Sequence, residues 1–393
     1  MALATNKTFI LFGIETTYGV DPGLTGADAI LVGKDLSISP LEGSAVQRDF
    51  IRPFFGGSGS IRVENYATVS FKVELAGSGV AATPPAWGKI YKACNFSETI
   101  AAAAVTGTAQ AGGSTTSIKL AAAASAIDDF YIAKTLNIVS GTGNAQTGEI
   151  ISYDGTTKIA TIAKAWAVAP DATSGYSIGA GVLYTPNSSF SKSIANSSAT
   201  IYFIKDGVQH ILLGAMGNIK WDLSPKAIPS FTCSFTGLLG TVTDVSLPAV
   251  NYAGYQVPAT ISTANTTNIN LIGYTNAVVS ALSLDLGNPV TYRNVIGQEA
   301  VFITDRKVTG NVTIDATTVA EKDWWTAAKN SATGPFSVKH GNTAGNVVTF
   351  VGKSAQIAAP SYGDDNGIST MPFTLEFIPT GSAGNNDLVF CTK

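Results

Sequence analysis

From Thr68 to Leu75 the chain alternates without a break: Val69, Phe71, Val73 and Leu75 are apolar, and Thr68, Ser70, Lys72 and Glu74 are polar. Side chains of an extended strand point to opposite faces in turn, so this order offers one face to a core and the other to water. A helix, with its period of 3.6, cannot use it. The pattern returns in Phe231, Cys233 and Phe235 against Thr232 and Ser234, and in Phe373, Leu375 and Phe377 against Thr374 and Glu376. Pro229 and Pro372 stand just before or at the start of those two strands, where a missing N–H is tolerated. Most of the chain is therefore expected to be antiparallel sheet. Helical spacing is scarce and clearest after Pro84 and Pro85, where Trp87, Ile90, Tyr91 and Cys94 share one side of a helix.

The same parts then occur twice in the same order. Leu36-Ser37-Ile38, followed by Val46 and Arg48, has a counterpart in Leu282-Ser283-Leu284, followed by Val290 and Arg293. Phe71 to Glu74 matches Val312 to Asp315, and each precedes a Trp-bearing helix, Trp87 to Cys94 or Trp324 to Lys329. The closing strands at 229–237 and 371–381 share Phe-Thr-x-x-Phe. The halves differ by one block, from about Ala104 to Ser177, with its own hairpin signal at Tyr153-Asp154-Gly155 between Ile150-Ile151 and Ile159. A self-contained module is readily added at an exposed loop tip. At 393 residues the chain exceeds one compact domain. It is expected to be mainly β: a discontinuous first domain (1–103 with 181–247), an inserted small all-β domain (104–180) and a second domain like the first (248–393). Each repeated unit is an antiparallel barrel or sandwich with one short helix.

Charge excludes several classes of function. With 24 Lys+Arg against 27 Asp+Glu, a formal charge of −3 and no like-charge run, nothing draws the chain to nucleic acid or anionic lipid. No apolar stretch is long enough for a membrane helix, and the N-terminal residues lack the pattern of a secretory leader. Cys94, Cys233 and Cys391 are too few and too scattered for a disulfide framework or a zinc site, which fits folding in a reducing compartment. His210 and His340 have no Cys or carboxylate at metal-ligand spacing and read as surface residues. Gly56 to Gly59 lacks the strand-to-helix setting of a phosphate loop, and Asp364 to Gly367 lacks the acid spacing of a calcium loop; both read as turns. No catalytic residue, metal site or cofactor is expected.

What stands out is surface. Between Gln47 and Phe55 the apolar Phe50, Ile51, Phe54 and Phe55 are mixed with Arg48, Asp49 and Arg52, and strand alternation lapses. Aromatic residues with arginine are the composition of interface cores, although these rings could also fold back on their own domain. Many strands with only 13% charged residues would leave adhesive sheet edges unless neighbours cover them, so assembly is the expected state.

At this point the sequence resembles the major tail tube proteins of long-tailed, non-contractile bacteriophages. The resemblance is carried by GIETTYGVDPGLTGADAILV at 13–32, PLEGSAVQRDFIRPFFGG at 40–57, VELAGSG at 73–79, PPAWGKIYKACNFSET at 84–99 and QIAAPSYGDDNGISTMPFTLEFIPT at 356–380. The block around SGTGNAQTGEIISYDGTTKIATI resembles the small β modules that decorate phage structural proteins. The family implies subunits that close into rings around a lumen and stack into a pipe. Because family tubes have six barrels per ring, a chain with two implies a trimer with pseudo-sixfold symmetry. It further implies self-association, contacts with tape measure, terminator and baseplate components, duplex DNA passing without specific binding, and a place in the virion tail after assembly in the host cytoplasm. A lumen of Ser, Thr, Asn and acids would suit that passage, since Lys or Arg would hold phosphates. The inter-ring contacts are expected at Arg48, Phe50, Ile51, Arg52, Phe54 and Phe55 and at Tyr292, Arg293 and Val295, with the insert facing outward and dispensable for polymerisation. The competing reading is a β-rich baseplate, fibre or adhesin-type binding protein. A glycan-cleaving hydrolase would need paired carboxylates at a spacing that the chain does not present.

Overall fold

Alternating segments become strands throughout residues 3–189, 197–381 and 383–393, the part of the chain that this computed structural model describes. The first stretch runs β1 (Thr8–Ile14), β2 (Ala29–Ile30), β3 (Ser37–Glu42), the hairpin of β4 (Ala45–Gln47) and β5 (Ser60–Arg62), β6 (Tyr66–Glu74), helix α1 (Gly88–Ala93) and β7 (Phe96–Ala101). A block follows, with β8 (Val105–Thr108), β9 (Gln110–Ser114), β10 (Ser117–Lys119), β11 (Thr135–Ser140), β12 (Thr147–Asp154), β13 (Ile159–Ile162) and β14 (Gly175–Ile178). Then come β15 (Gly181–Pro186), β16 (Ala199–Lys205), β17 (Val208–Asp222) and β18 (Ser230–Asp244). The rest is β19 (Thr266–Leu271), β20 (Val279–Asp285), the hairpin of β21 (Val290–Val295) and β22 (Gln298–Ile303), β23 (Thr309–Asp315), helix α2 (Trp324–Lys329), β24 (Thr333–His340), β25 (Val348–Ala358), β26 (Gly363–Asp365), β27 (Ile368–Phe377) and β28 (Val389–Thr392).

Pairing follows one plan twice, always antiparallel. β1 lies against β16, β16 against β17, β17 against β18, β18 against β6, and β6 against β3. Likewise β19 lies against β24, β24 against β25, β25 against β27, β27 against β23, and β23 against β20. The registers differ in one detail. Phe231 faces Val73 and Phe373 faces Val312, so the closing strands match two residues out of step with a Phe71–Val312 equivalence. A slip of two keeps each side chain on its face, and the alternation is blind to it. Pro372 is a correction: it sits inside β27, opposite Thr313, not at the strand's start. Its carbonyl accepts from the Ser361 N–H at 3.2 Å, so its missing N–H points into the same gap between β25 and β26, where no ladder partner is deprived.

Two strands join the sets. β17 pairs Lys220–Asp222 with Ser283–Asp285 of β20, and β28 pairs with β15 on one side and β25 on the other. Among the described residues these strands form one continuous sheet, in which one layer runs β3-β6-β18-β17-β20-β23-β27 and a second runs β7-β15-β28-β25-β24-β19, with β25 passing between them because it pairs with both β27 and β28. A single core joins them, with Trp87, Tyr91 and Phe231 from the first set, Trp324, Phe336 and Phe373 from the second, and Trp221 and Phe390 from the joining strands. Trp221 donates its indole N–H to the Tyr91 hydroxyl at 2.6 Å, which leaves no indole donor orphaned at the junction.

The block from β8 to β14 forms a sheet and a core of its own around Leu136, Ile150, Tyr153 and Trp166. It docks on the side of β15, β28 and β25 turned away from the main core, where Ile132, Ile151 and Ala163 pack on Leu183, Val351 and Val389. Within that contact the buried Glu149 accepts from Lys339 at 2.9 Å and from Lys393. Lys353 meets Asp129 at 2.9 Å beside it. Removing the block would strand three lysines and uncover an apolar side, so its simple deletion carries a stability cost.

Burial acts to raise the Glu149 pKa, but Lys393 and Lys339 prevail and hold it below its ordinary value of 4.5. A depressed carboxyl stabilises the fold fully above that value, and its contribution is lost as pH falls through the depressed one. Glu149→Gln should therefore cost about 3–5 kcal/mol of unfolding free energy at neutral pH. Denaturant titrations should show that difference shrinking below pH 4.5; a difference independent of pH would contradict the ion-pair account.

Candidate functional site

The described residues offer little reactive chemistry. No group of three or more His, Cys, Asp or Glu among them is placed to hold a metal. Cys94, Cys233 and Cys391 are buried, and burial pushes each thiol up, away from the reactive thiolate. The histidines are corrected from surface to interior. His340 is buried at the end of β24, with Nδ1 at 2.9 Å from the Thr266 hydroxyl and Nε2 at 3.0 Å from the Ala259 carbonyl. His210 is half-buried within β17. Burial lowers both pKa values. Gly56 to Gly59 lies between β4 and β5, and Asn366 and Gly367, with φ of 54° and 88°, make the two-residue turn joining β26 to β27.

The first extended surface feature is the side of the β3-to-β27 sheet that faces away from the core. Register aligns its side chains in rows that cross the strands. One row reads Lys72, Thr232, Lys220, Asp285, Thr309 and Glu376, and the next Glu74, Ser230, Asp222, Ser283, Asn311 and Thr374. A third begins Ser37, Ser70, Ser234 and Asn218. Hydroxyls, amides and acids dominate, and arginine is absent from these rows. Lys220 is neutralised by Asp285 at 3.0 Å, and Lys307, just before β23, by Glu376 at 3.2 Å. Solvent-exposed pairs of this kind add little stability, but they remove free positive charge from the face.

The second feature lies at the Tyr66 end of that sheet, where both hairpins project. The loop between β4 and β5 does not fold back: Phe50 and Phe54 are largely exposed, and Ile51 and Phe55 wholly so. Arg48 sits over the Phe50 ring at 4.7 Å, and Arg52 lies between Phe50 at 5.5 Å and Phe54 at 5.8 Å. These contacts gather the arginines and rings into one cluster. In the other hairpin Arg293, Val295 and Ile296 are exposed. Tyr292 instead turns inward: it packs on Tyr66 at 4.6 Å and donates to Glu299 at 2.6 Å. Burial, then that acceptor, push its phenol up to about 12. Asn294 donates to the Val63 carbonyl at 3.1 Å, so the bases of the hairpins meet. Thus Tyr292 secures a hairpin, and the other expected residues are presented to solvent.

The sequence reading missed the anchor of this end, Glu15. Buried beyond β1, it accepts from the Gly19 N–H, the Ser198 and Thr200 hydroxyls and the Gly214 N–H, all at 2.7–2.8 Å. Gly214 takes φ +57, and a Cβ there would strike the ring of Tyr18. Tyr18 in turn accepts from the Val301 N–H of β22 at 2.6 Å. The only sequence signal was an acid closing an apolar run, which does not reveal its four donors.

A family model described as phage tail tube protein matches residues 5–379. No curated protein matches the chain.

Because Phe50, Ile51, Phe54 and Phe55 bury little in the single chain, changing all four to Ser should alter unfolding free energy by no more than about 0.5 kcal/mol per site. Binding of a hydrophobic dye should fall at the same time. A loss of several kcal/mol would mean that the rings pack on their own domain.

Proposed function

The chain belongs to the phage tail tube protein family, and from that premise we propose that three copies close into a pseudo-sixfold ring and that rings stack into the conduit for phage DNA. In this reading residues 1–103 with 181–247 are one tube domain, 248–393 a second, and 104–180 an inserted decoration. The carrying observation is that each chain holds two strand sets of one plan in a single sheet with one polar side. Inside the chain, β17 of one set meets β20 of the next. The counterparts of those strands are β25, continued by β26, and β3. Among the described residues β3 pairs only with β6, and β26 only with β27. Repeating the internal joint between copies would cover both edges and close the sheet into a barrel.

The polar rows then face the lumen. Their hydroxyls, amides and acids, with Lys220 held by Asp285 and Lys72 flanked by no arginine, suit a wall that lets a polyanion slide, since each free cation facing a phosphate would add salt-dependent retention. The insert, docked on the opposite sheet, faces outward. The exposed hairpin residues Arg48 to Phe55 and Arg293 to Ile296, at one end of the sheet, make the ring-to-ring contact, a head-to-tail interface that propagates as a filament. Further partners are the tail components that cap and fill the tube, with assembly in the host cytoplasm before incorporation in the virion.

Thr232→Arg with Asn311→Arg places unpaired cations in the rows. Particles carrying them are expected to release DNA slowly at low salt and to recover as salt is raised. Release at the parent rate in low salt would contradict the lumenal placement.

A further inference from the structure

The hairpin end has an unexplained counterpart at the other end of the sheet. There a cleft of about 430 Å³ opens between the end of β6, the turn from β17 to β18, and the segment that follows β18. Trp87, Tyr255 and the exposed Ile228 give it an apolar lining, and Glu74, Asp222 and Lys72 are its charged residues. It is within the size range of sites that take small apolar groups. The loop from Arg48 to Phe55 is its complement in character: aromatic, with two arginines and one aspartate where the cleft has two acids and one lysine.

The two features cannot meet within one chain by way of the sheet. β6 alone, nine residues from Tyr66 to Glu74, separates them by roughly 30 Å at 3.3 Å per residue. The occupant is therefore a second copy. Resting on the reading of the loop as a ring-to-ring contact, we propose that the Arg48–Phe55 loop of one copy seats in the Trp87–Ile228–Tyr255 cleft of a copy in the next ring, with Arg48 and Arg52 meeting Glu74 and Asp222. A second apolar cleft at the same end, of about 580 Å³ beside Ile261 and Val279, carries Lys226 and no acid. It offers the arginines no partner and is the poorer receptor for this loop. Arg48 and Arg52 already lie over Phe50 and Phe54, so the charges and rings enter as one ordered unit. Since donor and receptor lie at opposite ends, the contact repeats without closing.

A charge swap tests this on the full chain. Arg48→Glu with Arg52→Glu should abolish tubes, and so should Glu74→Arg with Asp222→Arg, while the four changes together should restore them in sedimentation and microscopy. If the cleft variant forms tubes like the parent, or the four-fold variant fails although its melting matches the parent, the cleft is not the receptor. If the loop variant itself forms tubes, the ring-to-ring reading of the loop falls as well. A cysteine pair gives a second arm that does not depend on charge: Phe54→Cys with Ile228→Cys adds two thiols at exposed positions to a chain whose own cysteines are buried. Mild oxidation of tubes should yield a ladder of cross-linked chains, and its absence would overturn the proposal.

Discussion

Antiparallel pairing of Lys220–Asp222 with Ser283–Asp285 turns two strand sets into one sheet. The alternation of β17 lets this short joint serve both faces. Trp221 points into the core and is tied to α1 through Tyr91, while Lys220 and Asp222 on either side of it extend the polar rows from one set to the next. Asp285 is held there by Lys220, by the Asn218 amide at 2.8 Å and by the Gly287 N–H at 2.9 Å. Its pKa falls because these partners overcome the effect of its partial burial. The joint thereby aligns the rows and leaves β3 and β26 at the edges.

On the facing sheet β28 performs the parallel task. It lies between β15 and β25, strands far apart in sequence, and puts Phe390 into the ring cluster of Trp87, Tyr91 and Tyr184. The other side of the same strand receives the inserted block, so β28 and the segment after it are buried from both directions. Sheet joining and insert docking are therefore coupled through a few residues, including Cys391 and Lys393. Arg306, paired with the buried Asp387 at 2.8 Å, holds the approach to β28 in place.

Much of this was legible in the chain. Strands with one wet face, such as β6 and the second half of β27, announce themselves by period-two alternation, α1 by the spacing of Trp87, Ile90, Tyr91 and Cys94, and α2 by its place in the repeated order. The hairpin of β12 and β13 in the separate sheet was visible because its residues Asp154 and Gly155 interrupt two apolar runs. Less visible was anything that depends on which strands become neighbours. β17 and β20, β28 and β15, and Glu149 with Lys339 and Lys393 are distant in sequence and carry no local signature of their meeting. The histidines misled for the same reason: His340 looked polar and exposed until β19 and the segment before it covered it. At the candidate site, broken alternation and flanking glycines set Phe50 to Phe55 apart from the strands but left open whether the rings fold back, and only the structure shows them exposed, whereas Tyr292 is a packing residue because Tyr66 lies beside it.

If the internal joint is repeated between chains, the polar rows turn to the tube axis. A reconstruction of the assembled tube that resolves side chains tests it most directly. Three chains per ring, β26 of one chain beside β3 of the next, and Thr232, Ser283 and Asn311 lining the channel are the expected result. Six chains per ring, or a channel lined by the insert, would contradict it.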